Sequence, residues 1–128
     1  MSTGTWEPDA PGAAPDLDIS LLDRLASYAG PEQLGQLNQL LEPELAAIMK
    51  LDHALWSSAV ENLPSEQVIQ LIRVLTVAEQ LPGWEAADKS PVIALAKSLR
   101  KRGEKLEREL LLWIRENSEN RYLPYGPL

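Results

Sequence analysis

His53 is the only imidazole in the chain and stands beside Asp52, with Ser57 and Ser58 about one turn further on. These are the residue types of acid–base and nucleophilic chemistry, because imidazole titrates near neutral pH. Their spacing argues against that use. Neighbouring helical positions point about 100° apart, so Asp52 cannot orient the His53 ring by itself. No glycine-rich elbow presents either serine as a nucleophile. His53 therefore reads as an ordinary histidine. A small helical enzyme with no recognisable motif ranks third among the functional readings.

Metal and cofactor chemistry have even less to stand on. The chain has no Cys and one His, which leaves only oxygen-rich cation sites. Glu42 and Glu44 flank Pro43, which separates them by a break, and no Glu-x-x-His pair exists for a bundle di-metal centre. The seven glycines are scattered, so no phosphate-cradling loop is present. No cofactor, no metal and no catalytic residue are expected.

The remaining chemistry is electrostatic. Residues 1–88 carry 14 acidic and 3 basic side chains, residues 89–128 carry 9 basic and 5 acidic, and the whole chain has a net charge of −7. Lys97, Lys101, Lys105 and Arg108 follow one another at spacings of four, four and three, which places them on one face of a helix. Such a stripe suits an acidic protein surface, and less well a phosphate backbone. No aromatic side chains are interleaved for base stacking, and the field of an acidic protein repels polyanions. The bland alternative is a solvated helix face with Arg100–Glu104 and Glu104–Arg108 as i,i+4 ion pairs.

A second candidate contact is the end of the chain. Residues 122–128 carry two Tyr, two Leu, two Pro and a Gly with no charge. Tyr122, Leu123 and Tyr125 supply apolar area, and the prolines lower the entropy lost on ordering. This peptide is expected to pack in a groove with Trp113 or Trp56 as a wall, on its own domain in preference to a partner.

These residues need elements to hold them, and every signal is helical. Asp18 is a plausible N-cap for a first helix ending near Ala29, and Gly30-Pro31 reads as a stop followed by a start. A second helix carries Leu34, Leu37 and Leu41 up to a break at Glu42-Pro43. The stripe Leu45, Ile48, Met49, Leu55, Trp56, Ala59 and Val60 then predicts one helix over 43–62, and Ser65 is expected to cap the next. Residues 66–81 are apolar around most of their circumference, with only Gln70, Arg73 and Glu79 forming a polar strip, as expected of a central helix. Ser90-Pro91 starts the last helix, whose seam of Val92, Ala96, Leu99, Gly103, Leu106, Leu110 and Trp113 stays in phase towards Asn117. The phase favours one long last helix, continuous or kinked at Gly103, over a stop there.

The chain is thus expected to be all-α: a small bundle of four to five helices around the central helix 66–81. Residues 1–16, with three prolines and little apolar surface, read as a flexible tail, and 17–128 as a single domain including an extended C-terminal peptide, 119–128. No apolar run approaches the roughly 20 residues of a membrane span, and no basic-then-apolar leader is visible. A cytoplasmic location is the default. The first functional reading is a non-catalytic regulatory or adaptor protein acting through an unidentified protein partner. Lys97, Lys101, Lys105, Arg108, Tyr122, Leu123 and Tyr125 are its candidate contacts, and a homodimer through the last-helix seam is a further option. A nucleic-acid-associated protein is the second reading.

Overall fold

The computed structural model describes residues 17–120 and Leu123. These residues form helices α1 (Ile19–Ala26), α2 (Pro31–Leu34), α3 (Leu37–Leu40), α4 (His53–Val60), α5 (Ser65–Ala78), α6 (Pro91–Lys101) and α7 (Arg108–Asn117). Two 3-10 segments, Pro43–Lys50 and Ala87–Lys89, lie between α3 and α4 and between α5 and α6. No strand occurs among the described residues, and none of their helices is long and apolar enough to cross a membrane.

The start signals act as their chemistry dictates. Asp18 Oδ1 accepts the Leu21 amide at 2.8 Å and supplies the partner that the first turn of α1 lacks. Gly30 stands in extended conformation before Pro31, which opens α2. Ser90 caps α6 by accepting from the Val92 amide, with Pro91 in the first turn. Ser65 departs from expectation, since it lies inside α5 and Pro64 occupies the cap position.

Helix α5 packs against α1, α3, α6 and α7. Val68, Leu71, Ile72, Val74, Leu75 and Ala78 are all fully buried along it. Thr76 is buried too, and its hydroxyl donates to the Ile72 carbonyl at 2.7 Å, so no polar group is stranded there. Trp56 of α4 is wholly buried, and its Nε1–H reaches the Ile48 carbonyl at 3.1 Å. That bond fastens α4 side-on to the preceding 3-10 segment.

Besides Ser65, three expectations need correction, and together they turn the expected four to five helices into seven α-helices among the described residues. The helix predicted over 43–62 is a 3-10 segment and then α4, separated by Leu51 and Asp52, both in extended conformation. A buried 3-10 turn repeats every three residues, so its apolar spacing imitates a helical stripe. The second predicted helix is likewise divided into α2 and α3 at Gly35-Gln36, where glycine costs about 1 kcal/mol in a helix interior.

The third correction concerns the last helix, which is two helices. Gly103 has φ +83°, a left-handed conformation that only glycine adopts freely. Its amide bonds the Arg100 carbonyl at 2.9 Å, and the Glu104 amide bonds the Leu99 carbonyl at 3.0 Å. These two bonds form the paired closure of a Schellman turn, which satisfies the last carbonyls of α6 and ends it. The apolar seam keeps its phase because Val92, Ala96 and Leu99 on α6 and Leu110 on α7 are all buried in the chain's own interior.

Candidate functional site

The break at Gly103 divides the predicted basic stripe. Lys97 and Lys101 project from α6, Lys105 lies in the connection, and Arg108 opens α7. All four are exposed, as is Arg100. None of the five has an ion-pair partner among the described residues. The i,i+4 pairs of an unbroken helix cannot form, because Glu104 lies beyond the turn. Its carboxylate accepts the Ser65 hydroxyl instead, at 2.5 Å.

Arg102, one residue along from Lys101, behaves differently. It is half-buried, and its guanidinium donates to the Leu63 carbonyl at 2.7 Å, the Val60 carbonyl at 2.8 Å and Ser65 Oγ at 3.1 Å. It thus caps the C-terminal end of α4, where a cation also complements the helix dipole. Between α4 and α6 lies an open cleft of about 420 Å³ lined by Ser57, Ser58, Glu61, Lys97, Ser98, Lys101 and Arg102. Lys97 and Lys101 are exposed on this cleft, whereas Arg102 is held by the Val60 and Leu63 carbonyls. In the sequence Arg102 is one more cation of the run between Lys97 and Arg108. Its carbonyl and hydroxyl acceptors lie 37 to 42 residues away, so no local pattern could have separated it.

The chemistry suspected around His53 does not assemble. Asp52 lies 3.9 Å from Lys89 Nζ in an exposed pair, and His53 Nε2 is buried with no hydrogen-bond partner among the described residues. Among the described residues no carboxylate pairs with His53. Among the described residues no three His, Asp or Glu side chains gather where they could hold a metal ion.

The structure assembles a buried polar cluster that the sequence did not reveal. Glu79, counted above in a polar strip, is 6% exposed. Its carboxylate accepts from the Ser90 hydroxyl and from Asn120 Nδ2 at 2.9 Å. Asn120 also donates to the Ala87 carbonyl, at 2.9 Å. Ala87 itself has φ +50°, a strained conformation for a residue with a Cβ. The cluster therefore ties together the end of α5, the start of α6 and the chain beyond α7.

Burial raises the Glu79 carboxyl above its ordinary pKa, against the hydrogen bonds from Ser90 and Asn120 that favour its ionised form. A raised folded-state pKa means that the native protein holds this proton more tightly than the unfolded chain does. As pH falls from neutral into the carboxylate range, the Glu79 contribution should become more stabilising. Glu42 acts in the opposite sense. Arg24 bonds both its oxygens, at 3.0 and 3.1 Å, and lowers its pKa, so that contribution is lost as pH falls. Subtracting the melting temperature of Glu79→Gln from that of wild type across this range cancels Glu42 and isolates Glu79. The difference should move in favour of wild type towards low pH, and a flat difference would show that Glu79 is not desolvated.

Of the predicted C-terminal contacts, Leu123 is buried against the core. Tyr122 and Tyr125 lie outside the described residues. The two candidate walls differ, Trp56 being enclosed and Trp113 half-buried on α7.

Comparison of the chain with known protein families, with curated proteins and with solved structures finds no match.

Proposed function

We propose that the protein is a non-catalytic adaptor that docks an acidic segment of a protein partner on the α6–α7 turn. One observation carries this reading. Lys97, Arg100, Lys101, Lys105 and Arg108 are exposed and unpaired among the described residues, in a chain whose net charge is −7. An acidic protein has ample carboxylates with which to neutralise a basic helix, and this one leaves the cations facing water. Exposed charges of this kind chiefly steer association and reject wrong partners.

The test replaces Lys97, Lys101 and Lys105 together with Gln. Folding should be unchanged within about 0.5 kcal/mol, as for surface positions generally. Capture of an acidic partner from nuclease-treated native extract should weaken, most visibly below 0.1 M salt, where the screening length exceeds about 10 Å. Unchanged capture at low ionic strength would reduce the cations to a solvated face. A salt-dependent mobility shift with mixed DNA or RNA, lost in the same variant, would favour nucleic acid as the partner.

A further inference from the structure

We propose that the groove between α2, α5 and α7 is a separate docking site, for a peptide segment presenting an Asp or Glu carboxylate beside a bulky apolar side chain. Arg73, the only cation of α5, lies over the indole of Trp113 on α7, its guanidinium carbon 4.9 Å from the ring centroid. Both side chains are half-buried. Stacking on an aromatic face holds the planar guanidinium in one orientation and leaves its edge available. Among the described residues nothing accepts a hydrogen bond from Arg73, and no carboxylate pairs with it. Asp23 lines the adjoining hollow, but its Oδ1 accepts from Gln67 Nε2 at 2.5 Å.

An oriented guanidinium without an acceptor matches a carboxylate, which takes two parallel N–H bonds from the guanidinium fork. The surroundings give the rest of the specificity. Ala29, Pro31, Leu34 and Val77 make the apolar lining of a groove of about 530 Å³ that is open to solvent along one side. A site for a small ligand encloses most of the ligand's surface, whereas an open trough suits a chain segment lying along it. Asn117 stands at its edge with its amide nitrogen engaged by the Trp113 carbonyl at 2.8 Å, so Oδ1 can accept from a peptide N–H. The proposal rests on the adaptor reading only in taking a protein segment as the occupant.

The test uses the full-length, ¹⁵N-labelled protein and two acetylated, amidated pentapeptides, one with a central Glu between two Leu and one with Gln in its place. Amide and indole shifts are followed as each peptide is added. The Glu peptide should saturate at a Kd on the order of 1 mM, a weak but measurable affinity. Its shifts should fall on the Trp113 indole N–H, Leu34, Gly35 and Val77. The Gln peptide should bind about fivefold more weakly, since it loses the charge-assisted bonds. Arg73→Gln should abolish the difference between the two peptides. Arg73→Lys, which keeps the charge without the fork, should reduce it.

Equal affinity for the two peptides overturns the proposal, and that comparison is made on unaltered protein, so a poorly folded variant cannot obscure it. Sodium acetate producing the same shifts at the same concentrations would show that no peptide is needed, and would also overturn it. Shifts confined to residues 97–108 would sink the groove but leave the adaptor reading standing. Conversely, groove binding that persists while Lys97, Lys101 and Lys105 prove irrelevant to capture would separate the two in the other direction.

Discussion

Ile72→Asp is expected to destabilise the domain severely and to lower its melting midpoint by more than about 10 °C. Ile72 is fully buried near the middle of α5, the helix that packs against α1, α3, α6 and α7. The substitution removes the transfer free energy of a large aliphatic side chain and adds a carboxyl group with no partner. An unpaired buried polar group alone costs several kcal/mol, and an ionised one more, so the new carboxyl would take up a proton before it stayed charged. The combined cost exceeds about 4–5 kcal/mol, against a total stability of roughly 5–15 kcal/mol for a domain of this kind. Thermal melts followed by circular dichroism give the answer. A midpoint within a degree or two of wild type would mean that α5 does not organise the core.

Arg102→Ala should have the next largest effect, despite removing a side chain from a run of surface cations. Its guanidinium is a charged donor to the carbonyls of Val60 and Leu63 and to the Ser65 hydroxyl. Deleting it takes the donor from the Leu63 carbonyl and one of two donors from the Val60 carbonyl, which keeps the Leu63 amide at 2.9 Å, at the junction of α4, α5 and α6. Hydrogen bonds to charged groups contribute about 1.5–3 kcal/mol, so a loss near 2–3 kcal/mol is expected, or about 6–15 °C in Tm. Arg100→Ala, two residues away and exposed, is the matched control and should change stability by no more than about 0.5 kcal/mol. Equal melts for the two variants would show that the Val60 and Leu63 carbonyls are satisfied by water instead.

The contrast between those two arginines marks the border of what the sequence discloses. Signals that act within a few residues were legible. Asp18, Gly30-Pro31 and Ser90-Pro91 start or stop helices because each satisfies or withholds a backbone bond next to itself, and the apolar run in α5 announces its own burial. Interactions between distant positions were not legible. Arg102 and Arg100 are chemically alike in the chain and differ only in what lies 37 to 42 residues earlier. Glu79 reads only as part of a polar strip because Ser90 and Asn120 stand 11 and 41 residues beyond it.

The last helix is the more instructive case. Its heptad phase survived across Gly103, yet two separate helices that both bury an apolar side will keep such a phase when the connection has a suitable length. The signals against continuity were present: Arg100, Lys101 and Arg102 before Gly103 suit a helix C-terminus, and Glu104 and Glu107 beyond it suit the approach to a new N-terminus. Periodicity reports which residues are buried, and it does not report whether the backbone between them is straight. Of the candidate contacts, the position of each cation on the surface was legible from its charge. The absence of ion-pair partners was not, because it follows from the turn. The Arg73–Trp113 stack joins α5 to α7 across 40 positions and left no trace in local spacing.

The cluster around Glu79 also bears on how the molecule opens. Chain segments after a last helix ordinarily exchange their amide hydrogens almost freely, because opening them disturbs nothing else. Here Asn120 is bonded to a carboxylate on α5 and to the Ala87 carbonyl, while the Leu123 amide bonds back to the Asn120 carbonyl and its side chain enters the core. Releasing this segment would strip a donor from a buried acid and uncover apolar surface at the same moment. The amide of Leu123 is therefore expected to belong to the same cooperative unit as the middle of α5. Its protection against deuterium should follow the global unfolding free energy, and should not show the shallow decay of a fraying end.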